Sequence, residues 1–370
     1  MITSVYLSSY TIGESSYDEI AHSCSPYGKK VVLIVGDHGY GKAKPYLDEA
    51  LKKSSLSAEK PVYFGGECTF ENVEKLKKEP AVMNADMIFA IGGGRVLDTG
   101  KCLGEQIQKP VFAFPTIASN CAACTSVSIM YQPDGSFLKP EFLKEPPKHA
   151  FINTKILVEA PVKYLWAGLG DTYAKYYEAS ISARGEALNQ SLTLGVHISR
   201  QCADGIIKHG LGALAANEAK SANEDFEQTI LTIIVTTALV SILVTLDHSP
   251  DYNSGLAHAI YYTLTSMPAF DDEKHLHGEI VAFGVLILLL VDQQKEEFDR
   301  VYQFNCASKL PHSLADLDLN AAIMELYLET ITEMADIRHN PYVITQDMLK
   351  AAFQELETIN KTKRKEERKK

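Results

Sequence analysis

Residues Ala85-Asp-Met-Ile-Phe-Ala-Ile-Gly-Gly-Gly-Arg-Val-Leu-Asp-Thr-Gly-Lys101 carry the pattern on which the fold turns. A short apolar run that ends in three glycines and continues at helical spacing, Val96 to Ile107, reads as a buried strand feeding a helix. The same alternation extends on both sides. Lys30-VVLIVG-Asp37 reads as a strand and Ala43 to Lys53 as a helix; Pro61-VYFGG reads as a strand and Thr69 to Lys78 as a polar helix. Lys109-PVFAFPT follows as a further strand, and Ala150-FINT as a short last one. This order predicts an α/β domain with a parallel sheet and helices on both faces. The Pro- and Lys-rich segment 132–152 is expected to close it. From about Pro161 strand signals stop and apolar residues recur at helical spacing, so residues 1–160 are expected as an α/β domain and 161–370 as an all-helical one.

A chain of 370 residues fits that division, since domains run to roughly 100–200 residues. The net charge is −11, and the last ten residues, KTKRKEERKK, are +5 by themselves, which leaves −16 on the rest. Such a body repels phosphate backbones, so no nucleic-acid partner is expected. The tail reads as a solvated, frayed helix end. The first 20 residues lack a basic region followed by an apolar core, so no signal peptide is expected. Seven cysteines, an odd number, suit a reducing cytoplasm better than a disulfide framework. Thr229 to Leu246 and Ile280 to Val291 are uncharged and apolar, yet read as buried core helices with no membrane role.

Three groups of residues carry chemistry. The glycines of Ile91-GGGRVLDTGK let backbone N–H groups approach a phosphate at a helix N-terminus. The spacing is neither G-x-G-x-x-G nor a P-loop. At the end of the first strand, Asp37 offers a carboxylate to a ribose 2′-OH and repels a 2′-phosphate, which favours NAD over NADP; its competing reading is a loop cap. In the helical half, Asp171, His258 and His277 are a donor set suited to a divalent metal with an open position, although spacing alone does not assemble them. His275 lies two residues from His277 and points elsewhere on a helix. Cys121-Ala-Ala-Cys124 has redox spacing, but no second pair follows, and lining of an apolar pocket is the preferred reading.

Together these segments resemble the glycerol dehydrogenase branch of the iron-containing (group III) alcohol dehydrogenase superfamily. The resemblance rests on AIGGGRVLDTGK, FPTIASN with TSVSIMY, GLGDTYAKYYEA, the His258 helix and HGEIVAFG, in order along nearly the whole chain. It implies a Rossmann-like NAD-binding domain and a helical metal- and substrate-binding domain with the active site in the cleft between them. It implies further that Asp37 holds the adenosine ribose and that Gly93, Gly94, Arg95, Val96, Leu97 and Asp98 cradle the pyrophosphate. Thr116 and Ser119 would contact the cofactor further along, and Thr125, Val127 and Tyr131 would complete the nicotinamide side. Asp171, His258 and His277 would hold the metal. Iron-dependent members that resemble this chain carry a further His where Lys175 stands, so three ligands remain and zinc is favoured, with Fe, Mn or Co also compatible. Lys175 reads as a structural ion pair with Glu178 or Asp171, ahead of a proton relay.

Glycerol dehydrogenases resembling this sequence have Asp where Cys121 stands, and that carboxylate contacts the polyol. The run Asn120-Cys-Ala-Ala is instead similar to the branch acting on 2-hydroxy or 2-oxo carboxylates. Loss of a hydroxyl-binding carboxylate changes discrimination by orders of magnitude. The expected enzyme is thus a cytoplasmic, homo-oligomeric NAD- and metal-dependent dehydrogenase with 2-oxo acids ahead of polyols, Cys121 and Asp171 facing the substrate. Glycerol oxidation to dihydroxyacetone is the alternative, and a silent NAD-binding sensor or scaffold is an alternative of another class. 3-Dehydroquinate synthase and glycerol-1-phosphate dehydrogenase, related by fold, need several basic residues, of which the segments around Asp171 and His277 offer few.

Overall fold

The computed structural model describes residues 4–249, 251–267, 270–271 and 274–367, with side chains to residue 363. The strands, in chain order, are β1 (Ser9–Ile12), β2 (Lys30–Val35), β3 (Ser57–Ala58), β4 (Val62–Tyr63), β5 (Met87–Gly92), β6 (Val111–Pro115), β7 (Val127–Tyr131), β8 (Phe137–Phe142) and β9 (His149–Ile152). Seven of them form one sheet in the order β1-β9-β6-β5-β2-β3, with β4 also paired to β2, and every pair is parallel. A central parallel strand is covered on both faces, which is why β5 is buried at all six residues and reads as an uninterrupted apolar run. On one face Phe89, Phe114 and Phe151 stack at 4.7 and 4.9 Å, with Tyr17 edge-on to Phe114 at 5.3 Å.

The chain goes outward from β2 to β3 and β4, then returns to the other side of β2 as β5. The strand order therefore reverses between β2 and β5. In open parallel sheets ligands bind in the crevice at the carboxyl ends of the two strands flanking such a reversal. Those ends are Gly36-Asp37 and Gly92-Gly93-Gly94.

Three elements differ from the sequence reading. The first long helix spans Asp37–Lys52 and so begins six residues before Ala43. Gly39 and Gly41 make its first turns read as a loop, but a Cβ on Gly39 would stand 2.3 Å from Thr116 Oγ1, so close packing requires that glycine. The segment 132–152 is not merely a connection: β8 pairs antiparallel with β7 in a separate two-stranded sheet, Pro140 opposite Ile129. The edge strand β1, too short and polar to stand out, runs parallel to β9.

Among the described residues every regular element after β9 is helical. By contacts the chain forms two compact units, Met1–Leu165 with Gly212–Ile242, and Trp166–Leu211 with Leu243–Lys370. Residues 212–242, read from sequence with the helical half, group with the first unit. The apolar stretch from Thr229 lies in the helix Glu224–Val244, whose most apolar window is 67% buried, and Ile280 to Val291 lies in the buried helix His277–Val291. The basic tail continues the helix Gln346–Glu367, and residues 368–370 lie outside the described residues.

Candidate active site

Within the second unit three helices converge: Val162–Ser182, Leu256–Thr265 and His277–Val291. Their approach is set by glycines. A Cβ on Gly278 would stand 2.0 Å from the Ala167 carbonyl oxygen, and one on Gly170 would stand 2.2 Å from that of Gly278. At the next crossing a Cβ on Gly284 would lie 2.7 Å from Ala257 Cα. Backbones this close bring short side chains on neighbouring helices within reach of one another. The motifs GLGD and HGE thus have a packing meaning beside their chemical one.

The result is the triad expected from sequence. Asp171 Oδ1 lies 3.2 Å from His277 Nε2 and 3.7 Å from His258 Nε2, and one donor atom from each of the three residues falls within 4.8 Å of the others. Two donors each about 2.1 Å from a tetrahedral ion stand about 3.4 Å apart, so these separations fit a zinc-sized cation. Asp171 and His258 are largely buried, whereas the His277 side chain is 39% exposed and leaves the group open to solvent.

Glu178, two turns after Asp171 on the same helix, fixes His258. Its Oε1 accepts the His258 backbone N–H at 3.0 Å and its Oε2 lies 2.7 Å from His258 Nδ1. With Nδ1–H donated to a carboxylate, the Nε2 lone pair is directed at Asp171, an arrangement that orients imidazole ligands and raises their basicity. Burial alone raises a carboxyl and lowers an imidazole. At Asp171, His277 and His258 outweigh it and hold the carboxyl at about 2. At His258, burial is outweighed by Glu178 and then Asp171, so its pKa is raised.

Sequence reasoning gave Glu178 no role beyond a possible partner for Lys175, and the structure corrects both. Lys175, 7% exposed, donates instead to Asn253, to its carbonyl oxygen at 2.5 Å and its Oδ1 at 3.0 Å. His275 does not join the triad; it bridges Glu279 at 2.9 Å and Asp318 at 3.3 Å.

The first unit holds the other group of expected residues. Asp37 is the exposed first residue of its helix and makes no cap, Gly36 being the N-cap. The helix Gly94–Ile107 has Gly93 as its N-cap, whose carbonyl accepts the Val96 and Leu97 N–H groups, leaving those of Gly94 and Arg95 as its first donors. Arg95 pairs with Glu67 at 3.0 Å and lies over the Tyr131 ring at 5.5 Å. Thr116 follows β6 and donates its N–H to Gly92 at 3.0 Å. Ser119 is half-buried in the following loop. Asp37, Gly93, Gly94, Arg95 and Thr116 thus share the carboxyl edge of the sheet.

Val96, Leu97 and Asp98 differ. All three are buried, and Asp98 pairs with Lys101 at 2.8 Å while accepting the Ile129 N–H. Lys101 also donates to Thr125 Oγ1 at 3.0 Å and the Val127 carbonyl at 2.5 Å. Asp98, Thr125 and Val127 therefore meet in one buried knot that ties the glycine-loop helix to β7. Asn120, read from sequence only as the first residue of the Asn120-Cys-Ala-Ala run, lies against the glycines: a Cβ on Gly94 would stand 2.9 Å from its Nδ2. Cys121 is half-exposed, its carbonyl accepting the Cys124 N–H at 3.0 Å, and neither cysteine forms a disulfide. Burial pushes the Cys124 thiol up to about 12, which suits packing and not a reactive thiolate.

Three comparisons bear on this arrangement. The sequence profile of the iron-containing alcohol dehydrogenase family matches residues 8–153. A glycerol dehydrogenase of Thermotoga maritima is 30% identical over 357 residues, 93% of each chain, and hydroxycarboxylate dehydrogenase A of Escherichia coli is 30% identical over 335 residues, 89% of this chain and 90% of the relative. The crystal structure of a glycerol dehydrogenase from Schizosaccharomyces pombe superposes with a TM-score of 0.83 at 23% identity, covering 98% of this chain and 92% of the other.

Proposed function

The chain belongs to the iron-containing alcohol dehydrogenase family and is a dehydrogenase acting on CH–OH groups; from this premise we propose that it interconverts a small 2-hydroxy acid and its 2-oxo acid, using NAD(H) and one divalent metal, with zinc preferred. The observation that carries the reading is the convergence of Asp171, His258 and His277 with Glu178 locked on His258 Nδ1. A silent sensor has no use for an imidazole whose tautomer is set this way, so the non-catalytic alternative recedes. The preference for oxo acids is supported by the loop Asn120-Cys121-Ala-Ala-Cys124, which lacks the carboxylate expected of a polyol site, and by the relationship to hydroxycarboxylate dehydrogenase A. Oxidation of glycerol to dihydroxyacetone is the second reading, favoured by the relative from Thermotoga maritima.

The donor set fits a metal and the carboxyl edge fits a dinucleotide. When bound, the metal supplies Lewis acidity to the substrate oxygen and the nicotinamide supplies or accepts the hydride. The chain's part is orientation and charge. Asp171 stays ionised at every working pH, and Glu178 keeps His258 in the tautomer that offers Nε2. Gly94 and Arg95 present N–H groups to a pyrophosphate at a helix N-terminus, and Asp37 receives the ribose hydroxyls. Asp98, Thr125 and Val127 act from behind, through Lys101, by holding the glycine-loop helix in place. We further infer a soluble, cytoplasmic protein, a reading supported by seven cysteines of which none forms a disulfide and by the buried apolar helices, and, from the family resemblance alone, a homo-oligomer.

The test is NADH oxidation by the purified protein with 2-oxobutyrate, 2-oxoglutarate, glyoxylate and dihydroxyacetone, before and after exhaustive chelation. A rate with an oxo acid that disappears on chelation and returns with zinc is expected. Undiminished rates in the chelated protein would remove the metal from the mechanism, and turnover of dihydroxyacetone alone would favour the polyol reading.

The ligands also predict a pH signature. In metal-free protein the raised pKa of His258 contributes stability that is full below the ordinary histidine value of about 6.5 and is lost as pH rises through the folded value. Asp171 contributes stability above about 3.9 that is lost as pH falls toward about 2. Zinc needs neutral imidazoles, so its stabilisation grows with pH. Melting temperatures of chelated and zinc-loaded protein should therefore diverge from pH 6 to 9. Parallel curves would mean that His258 is not a ligand.

A further inference from the structure

Lys175 is a buried cation for which neither the triad nor the fold supplies an obvious need. Asp171, Lys175 and Glu178 follow one another at intervals of four and three residues along one stripe of the helix Val162–Ser182. Both carboxylates are committed, Asp171 to the two imidazoles and Glu178 to His258. The ammonium is committed only to Asn253, through two acceptor atoms, and it has three protons. Its third proton has no acceptor among the described residues. Lys175 nevertheless stands one helical turn from Asp171 and under one turn from Glu178, on the helix face that carries both carboxylates.

We propose that Lys175 is the counter-charge for the substrate's carboxylate, the residue that lets this site take 2-oxo acids in preference to neutral ketones; the proposal rests on the oxo-acid reading above. A body with a net charge of about −16 outside its tail does not attract a carboxylate from solution. Attraction must be local. Asn253 lies two residues before Gly255, the N-cap of the His258 helix, so the clasp that fixes the ammonium also holds it against the element bearing a triad imidazole. A lysine fixed by two acceptors needs little further ordering to meet an anion, and a charge-assisted hydrogen bond from a buried ammonium is strong.

The test compares 2-oxobutyrate with 1-hydroxy-2-butanone, which differ only in carrying a carboxylate or a hydroxymethyl group beside the carbonyl. In Lys175→Met the KM for 2-oxobutyrate should rise about 30-fold, in line with truncation of one partner of a buried charge pair, while the KM for the neutral ketone stays within about threefold. Lys175→Arg should recover part of the loss. Oxamate, an unreactive 2-oxo acid analogue, should bind the NADH complex about 30-fold more weakly in Lys175→Met by calorimetry, and bound zinc should be unchanged. Equal losses on both ketones, or unchanged oxamate binding, would overturn the assignment and leave Lys175 as a clasp for Asn253. Failure of the wild type to turn over 2-oxobutyrate while reducing the neutral ketone would instead overturn the oxo-acid reading itself, and Lys175 with it.

Discussion

Glu178→Ala should lower zinc affinity about 10- to 100-fold, the usual cost of removing the carboxylate behind a metal-bound histidine. Two bonds are lost at once. The His258 backbone N–H loses its acceptor at 3.0 Å, and Nδ1 loses the partner that fixes the tautomer. His258 is buried, so no water freely replaces either contact, and the ring is free to turn its protonated nitrogen toward Asp171. Glu178→Gln separates the two effects: its amide oxygen still accepts one hydrogen bond, but the charge that makes the imidazole basic is gone, so an intermediate loss is expected. Competition titration with a chromophoric chelator measures both variants. If Glu178→Ala holds zinc as tightly as the wild type, His258 is not oriented by Glu178, and the triad must be held by backbone packing alone.

The contrast between Asp171 and Glu178 shows what the sequence made legible. The glycine-ended strand, its neighbours and the helical second half have periods that survive in isolation, and β2, β5, β6 and β9 lie where those periods put them. Asp171, His258 and His277 are far apart in sequence and became a group only through the order of several motifs. Glu178 acts on a histidine 80 positions away through a helix crossing, and its neighbourhood in the chain offers only Lys175 as a partner. Asp98 shows the limit of local spacing from the other side. It follows the glycines closely enough to read as part of a phosphate loop, but at four residues past Gly94 it has turned inward to Lys101. Local spacing says which residues are near the loop and not which way a helix turns them.

The crossing itself is open to test, and Gly278→Ala is the smallest edit that breaks it. The new methyl group would lie 2.0 Å from the Ala167 carbonyl oxygen and 3.1 Å from Asp171 Cβ, where an ordinary contact needs about 3.4 Å or more. The two nearest atoms, the Ala167 carbonyl oxygen and carbon at 2.0 and 2.7 Å, belong to backbone, so the strain is relieved only if the two helices part by about 1 Å or more. Metal ligands tolerate about 0.2 Å. The displacement falls on His277, the residue next to the substitution, and on its separation of 3.2 Å from Asp171. Gly278 is the second residue of its helix, where the advantage of alanine over glycine falls short of the interior value of about 1 kcal/mol, whereas overpacking costs about 1–3 kcal/mol. The net effect on folding is thus modest and the effect on the site is large. Purified Gly278→Ala should retain most of its secondary structure by circular dichroism, carry less than about a tenth of the wild-type zinc, and lose oxidoreductase activity in proportion. Full zinc occupancy with wild-type affinity would show that the helices can part without moving the ligands, and would leave the glycine contact as packing without consequence for the metal.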